Sequence, residues 1–226
     1  MQSPTTFVRT IGHRYHDLIS DLPYFKKLGV GLVLFIVSLV LDGAANIYVA
    51  LQTGPAVHDL ILDHIPTINV EDIYLEGFFI LLACIIILAL HRPKQIPFML
   101  KTIALFISIR SFFIILTHLS IPLASPAALQ GYAPTGSLVD KLSSGNDLFF
   151  SFHTGLPFLL SLMFWERKWL RITFLATSIL FGAAVLLGHV HYSIDVFGAY
   201  FITYSIFHMG IDLFKGDYAL FVEQGV

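Results

Sequence analysis

Six apolar segments follow one another along this chain, and each is long enough, or nearly so, to cross a lipid bilayer. A membrane-spanning helix needs about 20 predominantly apolar residues. Only 12% of the residues are charged and the mean hydropathy is +0.79, whereas a soluble domain carries about 25% charged residues. The sequence therefore predicts an all-α integral membrane bundle of six transmembrane helices. The segments cover approximately residues 28–50, 73–91, 97–120, 148–165, 170–188 and 192–214.

Lysine and arginine residues concentrate in alternate connections between these segments. Residues 52–72 contain none, and residues 121–147 contain only Lys141. Because cationic connections stay on the cytoplasmic side, this pattern predicts cytoplasmic N- and C-termini. We expect a cytoplasmic segment over residues 1–27, a six-helix transmembrane catalytic domain over 28–214 and a cytoplasmic tail over 215–226. The cationic stretches contain Arg9, Arg14, Lys26 and Lys27, then Arg92, Lys94 and Lys101, and then Arg167, Lys168 and Arg171.

Composition also argues against several other classes of protein. The net charge is −2 and no basic patch with interleaved aromatic residues is present, so we expect no nucleic-acid partner. Cys84 is the single cysteine, which precludes an intrachain disulfide. The sequence leaves a homo-oligomer open.

Ionisable side chains gather near the predicted outer ends of three apolar segments. Arg110 opens the stretch RSFFIILTHLSIP, and His153 ends the apolar part of NDLFFSFHTG. His191 and Asp195 lie four residues apart in GHVHYSIDVFGAYFITY, a spacing that places both on one helix face. Charged groups within membrane spans are functional candidates by default. We therefore expect these residues to converge in one layer near the outer surface.

Two histidines, one of them backed by a carboxylate, suit phosphoryl transfer through a covalent intermediate. One neutral imidazole attacks phosphorus, while the carboxylate sets its tautomer and stabilises the resulting cation. The other histidine protonates the leaving alkoxide and then deprotonates the incoming hydroxyl. Arg110 offers a planar fork to phosphate oxygens. These roles need no metal or cofactor, and zinc bound by the two histidines and Asp195 is the weaker alternative.

Other interpretations of the same residues remain open at this point. A single interfacial histidine is often a hydrated helix end, and Arg110 could instead form a structural pair with Asp42 or Glu76. A channel or transporter would use intramembrane polar groups as a pathway, but here the groups cluster at one depth and do not run across the membrane.

These three stretches resemble motifs of the sphingomyelin synthase family, a branch of the type-2 phosphatidic acid phosphatase superfamily. The stretch GHVHYSIDVFGAYFITY is similar to the family's last motif, a His-Tyr pair followed by Asp-Val and an aromatic-rich helix. GNDLFFSFHTG is similar to the preceding motif, in which Gly-Asp leads to Ser-Gly-His-Thr. RSFFIILTHLSIP resembles an earlier one. The likeness covers approximately residues 73–214, including the number and orientation of the spans.

The resemblance implies a catalytic triad of His153, His191 and Asp195 facing the exoplasmic side of a cell membrane or endomembrane. Family members move a phospho-head group from a glycerophospholipid to a ceramide and release diacylglycerol. A lipid phosphate phosphatase or phospholipase C-like hydrolase would use the same triad with water as acceptor. The phosphatase branch normally has an arginine just before the last motif, which is missing here, and this favours the transferase. The candidate substrate-binding residues are Arg110, Asp147, Phe152, His189 and Tyr192.

One departure from the family pattern concerns the residue before the first catalytic histidine. The family usually has glycine there, whereas this chain has Phe152. A large side chain at this position would reshape the pocket. We therefore expect Phe152 to influence which head group or acceptor is used.

Overall fold

The computed structural model of the chain describes residues 21–52, 54–123 and 148–223, and within these ranges every regular element is a helix. The all-α membrane class predicted from the sequence is confirmed, while the side of the membrane on which the termini lie stays a prediction. The helices are α1 (Leu22–Leu51), α2 (Glu71–His91), α3 (Ile96–Leu116), α4 (Phe152–Met163), α5 (Lys168–Leu187), α6 (Ser193–Leu213) and α7 (Lys215–Glu223), with short 3₁₀ turns at Leu62–His64 and Pro93–Gln95.

Five of the described helices, α1, α2, α3, α5 and α6, are long and apolar enough to cross a membrane. The sixth apolar helix, α4, has only 12 residues, or about 18 Å at 1.5 Å per residue, against about 30 Å of hydrocarbon. The sequence predicted a span over 148–165. The helix starts later because Ser151 caps it, accepting the Thr154 N–H at 3.4 Å. Residues 148–151 are not helical.

Helix α4 lies at the centre of the bundle, and each of its residues is buried or half-buried. It packs chiefly on α5 and α6, while α1 packs along α3 and α2 contacts α5 and α4. A glycine lets α4 pack closely on two of its neighbours. A Cβ at Gly155 would lie only 2.8 Å from the Phe106 ring of α3 and 3.0 Å from Thr203 Oγ1 of α6. Such small residues allow helices to approach closely in membranes. Three helices, α3, α4 and α6, therefore meet near Gly155.

The start of α4 is recessed below the end of its neighbour α5. The Ser178 hydroxyl of α5 donates to the Thr154 carbonyl at 2.7 Å, which places the first turn of α4 level with Ser178. Helix α5 continues for nine more residues to Leu187, or roughly 13 Å further. We call the end of the bundle where α4 and α6 begin the site end, and the other the opposite end. The first turn of α4 therefore lies well inside the bundle relative to the end of α5.

Helix α7 covers the opposite end of the bundle. Lys101 of α3 donates from Nζ to Asp217 Oδ2 at 2.6 Å, and both side chains are buried. The Gln95 amide donates to the Phe221 carbonyl at 3.0 Å. The sequence predicted a cytoplasmic tail from residue 215 onward. The structure places a docked helix over most of this segment.

Candidate active site

His191 and Asp195 form a buried pair at the beginning of α6. His191 Nδ1 lies 3.3 Å from Asp195 Oδ2, and the two residues are only 3% and 2% exposed. The same carboxylate oxygen accepts the Tyr192 N–H at 3.0 Å. A neutral imidazole that donates from Nδ1 carries its lone pair on Nε2. This pair therefore presents Nε2 as the nucleophilic or basic nitrogen.

His153 is the second residue of α4, on a segment that is tied directly to α6. The Ser151 N–H donates to the Asp195 carbonyl at 3.0 Å, so the residues preceding α4 run beside the first turn of α6. The span predicted over 148–165 would place His153 one to two turns inside a helix. It lies in the first turn instead, but α4 itself begins deep in the bundle. The structure thus brings the segments of the three predicted catalytic residues together.

Aromatic rings from two other helices surround the His153 imidazole. The ring centroids of Tyr74 and Phe78 on α2 each lie 5.5 Å from the centroid of the His153 ring, and that of Phe181 on α5 lies 6.5 Å from it. These three residues were not among those predicted from the sequence. The only signal was the four-residue spacing of Tyr74 and Phe78, which is shared by many lipid-facing pairs. The three rings give His153 an apolar wall, which limits its contact with water.

Arg110 is buried in α3 and its charge is balanced by an acid. Its Nη1 lies 3.4 Å from Asp42 Oδ1 on α1, and its Nε donates to the Phe150 carbonyl at 3.3 Å. The Ser111 hydroxyl donates to the same Asp42 oxygen at 3.0 Å. Of the two partners that the sequence suggested, Asp42 makes the pair, whereas Glu76 is exposed on α2. A phosphate bound by Arg110 would share the guanidinium with Asp42.

Phe152 lies between α2 and α3. Its ring centroid is 5.7 Å from that of Phe78 and 5.5 Å from that of Phe106. The Arg110 guanidinium carbon lies 5.7 Å from the same ring, within the range of a cation–π contact. Phe152 therefore links the aromatic wall around His153 to the arginine.

Two predicted substrate-binding residues contact the connecting segments at the site end. His189 has a φ of 49°, which is uncommon for a residue other than glycine, and its Nε2 lies 3.1 Å from the Leu62 carbonyl oxygen. The Tyr192 hydroxyl donates to the Ser120 carbonyl at 2.9 Å and accepts the Val57 N–H at 3.1 Å. Burial raises the pKa of the Tyr192 phenol, so the hydroxyl stays protonated. Both side chains hold these segments in place.

The last predicted substrate-binding residue, Asp147, lies outside the described residues. Among the residues that are described, no group of three or more His, Cys, Asp or Glu side chains is arranged to hold a metal ion.

Comparison with known families adds an independent observation. The family model described as PAP2 superfamily C-terminal matches residues 144–211, which is less than a third of the chain. The match includes α4, α5, most of α6 and all three predicted catalytic residues. It supports the type-2 phosphatidic acid phosphatase superfamily, and with it an enzyme that acts on phosphate esters. No curated protein matches the chain.

Proposed function

We propose that this protein is a membrane lipid phosphotransferase of the sphingomyelin synthase type. It moves a phospho-head group, phosphocholine or phosphoethanolamine, from a glycerophospholipid to a ceramide or similar lipid alcohol. The observation that carries this proposal is the buried His191–Asp195 pair, which is tied by one backbone hydrogen bond to the segment that leads to His153. The site faces the exoplasmic side, as the distribution of cationic residues predicts.

In the first half-reaction, His191 Nε2 attacks the phosphorus of the donor lipid. The bond between phosphorus and the glycerol oxygen breaks, and the imidazolium that forms keeps its Nδ1 proton directed at Asp195. Protonated His153 gives its proton to the departing alkoxide. Diacylglycerol leaves, and the head group remains on His191 as a phosphohistidine.

In the second half-reaction, neutral His153 takes the proton from the acceptor hydroxyl. The oxygen attacks phosphorus, the phosphorus–nitrogen bond breaks and neutral His191 is regenerated. His153 is left protonated, ready for the next donor molecule. Each group therefore returns to its starting state after one cycle.

The surroundings of His153 favour a lipid alcohol over water as the acceptor. Tyr74, Phe78 and Phe181 form an apolar wall beside the imidazole, and such a wall suits a hydroxyl carried on a hydrocarbon chain better than bulk water. The missing arginine before the last motif supports the same choice. The alternative is a lipid phosphate phosphatase or phospholipase C-like hydrolase, which the match to a phosphatase superfamily keeps open.

The decisive experiment adds labelled donor lipid to the purified protein without any acceptor. Rapid quenching should reveal an acid-labile phosphohistidine and about one equivalent of diacylglycerol, and ceramide should then discharge the label into product. His191→Ala should abolish both signals, whereas His208→Ala, an exposed histidine of the same helix, should not. Steady release of the head group into water would support the hydrolase. Diacylglycerol that appears only with acceptor, and no phosphoenzyme, would contradict the covalent intermediate.

A further inference from the structure

Asp59 lies in the connection between α1 and α2, far from the catalytic motifs in sequence, yet it contacts the start of α6. Its Oδ2 accepts the backbone N–H of Ser193 at 2.7 Å and the hydroxyl of Ser193 at 2.8 Å. Its Oδ1 accepts the N–H groups of Ile61 at 2.9 Å and Leu62 at 3.1 Å. One carboxylate therefore accepts four hydrogen bonds, two from the start of α6 and two from its own connection.

Ser193 is the first residue of α6, and its N–H group has no partner within the helix. A negative charge is also favourable beside a helix N-terminus. The preceding N–H, of Tyr192, is taken by Asp195. Two carboxylates, one from the helix and one from a distant connection, thus hold the two consecutive peptide groups that follow His191.

The connection that carries Asp59 is itself fixed to the bundle. The Ile68 N–H donates to the Leu187 carbonyl at 2.8 Å, and His189 contacts the Leu62 carbonyl and, through Nδ1, the Thr67 hydroxyl at 3.3 Å. The segment that carries Asp59 is therefore fixed in position by hydrogen bonds to the end of α5 and to His189.

The ionised state of Asp59 is also maintained. Burial acts to raise the pKa of this carboxyl, but the hydrogen bonds from Ser193, Leu62 and Ile61 outweigh it and leave the pKa below its ordinary value of 3.8. A depressed pKa means that the stabilisation is present above pH 3.8 and is lost as the pH falls through the folded value. Asp59 therefore remains an acceptor throughout the neutral range.

We propose that Asp59 is a positioning residue for the reaction, which sets the orientation of His191 and Asp195 by fixing Ser193. The inference rests on the proposed function, since it assigns Asp59 a part in that same chemistry. Asp59 acts through the backbone at the start of α6 and does not touch the reacting atoms. An attack in line on phosphorus depends on this orientation, and a misplacement of about 1 Å can cost about 10²-fold in rate.

The first test is Asp59→Asn. An amide has one acceptor oxygen and cannot satisfy both Ser193 and the pair of N–H groups at Ile61 and Leu62. We expect kcat to fall about 10²-fold with little change in KM for the donor lipid, because the proposed role of Asp59 acts through the backbone at Ser193. Asp63→Asn is the matched control, since Asp63 lies on the same connection in an exposed pair with His58. Its kcat should equal that of the wild type.

The Ser193 side chain tests the same contact from the other partner. Ser193→Ala removes only the hydroxyl bond and should lower kcat less than Asp59→Asn. Ser193→Thr keeps the hydroxyl and should restore the wild-type kcat. A purely structural cap would instead lower the melting temperature of the Asp59→Asn protein and leave kcat per folded molecule unchanged, which would overturn the proposal.

A second measurement does not depend on turnover. Diethyl pyrocarbonate modifies accessible imidazoles, and peptide mass spectrometry reports the rate at His191, which is buried in the wild type. Asp59→Asn should raise this rate several-fold, whereas Asp63→Asn should not. An unchanged rate would overturn the positioning role. If the wild type shows no lipid turnover but the His191 rate rises in Asp59→Asn, the proposed function fails while the anchoring by Asp59 stands.

Discussion

Both ends of the bundle contain contacts between ionisable side chains that are buried or half-buried, but these contacts differ in geometry and surroundings. At the opposite end, Lys101 and Asp217 join α3 to α7 with a short contact of 2.6 Å. At the site end, the contacts are longer: 3.3 Å between His191 and Asp195, and 3.4 Å between Arg110 and Asp42. Charged groups inside a membrane protein are costly wherever they lie. Burial alone therefore does not separate a functional charge from a structural one.

The surroundings of each pair distinguish a structural role from a functional one. Lys101 and Asp217 lie in the contact between α3 and the docked helix α7, with the Lys101 ammonium 5.7 Å from the Phe214 ring centroid. His191 and Asp195 lie at a helix start, beside the non-helical residues that lead to a second histidine. A pair enclosed by packed helices stabilises one arrangement. Under the proposed function, a pair at a helix start beside a second histidine exchanges a proton and a partner during the reaction.

The largest contrast should come from neutralising one acid at each end. Asp195→Asn keeps the shape of the side chain, but the amide cannot stabilise the imidazolium of His191. We expect turnover to fall by about 10⁴-fold, as for the corresponding change in a hydrolase triad, with little loss of thermal stability. Steady-state assays in lipid–detergent micelles, normalised to folded protein, measure this. Asp217→Asn serves as the control and should turn over at the wild-type rate.

The same Asp217→Asn protein should reveal the structural role of the opposite end. Removing one partner of a buried ion pair typically costs about 3–5 kcal/mol, because Lys101 would keep a charge without its acid. Unfolding in detergent, followed by circular dichroism, should show this loss. The double variant Lys101→Met with Asp217→Leu should regain most of the stability, since well-packed apolar replacements are often neutral. A double variant as unstable as the single one would contradict the comparison.

Arg110 tests whether the second pair at the site end also serves the reaction. Arg110→Lys keeps the charge but loses the planar fork that matches a phosphate. If Arg110 holds the transferred phosphate, turnover should fall by about 10²-fold, comparable to losing one donor to a developing oxyanion, while the protein stays folded. Asp42→Asn is the companion variant, because it frees the guanidinium without removing it. Full activity of Arg110→Lys, with misfolding of Arg110→Ala, would mean that Arg110 stabilises the fold and does not bind the phosphate.

Phe152 should give the smallest effect on rate and a clear effect on selectivity. Removing its ring in Phe152→Gly would open the space between Phe78 and Phe106 near His153. We expect the ratio of kcat/KM between two acceptors, or between choline and ethanolamine donors, to change by about 10-fold, as differences in pocket contacts typically produce. Phe152→Ala separates lost bulk from added backbone freedom and should behave alike. An unchanged substrate profile in both variants would mean that Phe152 serves packing only.

The order and extent of the long helices could be predicted from the sequence because hydropathy over about 20 residues reports the membrane directly. The shortness of α4 could not, since apolar residues continue on both sides of it. The helix begins only at Phe152 because the Ser151 side chain accepts the Thr154 N–H and the Ser151 N–H donates to the Asp195 carbonyl. Helix α7 was missed for a similar reason, as its docking depends on Lys101, which lies 116 residues away in sequence.

In the candidate site, too, local contacts could be predicted from the sequence and distant ones could not. The contact between His191 and Asp195 follows from a four-residue spacing, which a sequence displays. The partners that complete the site come from distant segments: Tyr74 and Phe78 from α2, and Asp59 from the connection before it. A single sequence contains no pairing signal between such segments. The His191–Asp195 contact was therefore predictable, whereas the contacts of Tyr74, Phe78 and Asp59 with the site were not.

The short central helix has a consequence for how the protein enters the membrane. A segment of 12 apolar residues is too short to be stable alone across the hydrocarbon, and α4 contains Pro157, which removes one helical hydrogen bond. Its connection to α5 is only four residues long, so we expect the two helices to insert as one hairpin, with α5 supplying most of the hydrophobicity. We expect His153 to reach its depth together with α5, to which the first turn of α4 is hydrogen-bonded. Defects in α5 should then appear first as failed membrane insertion of the segment that carries His153.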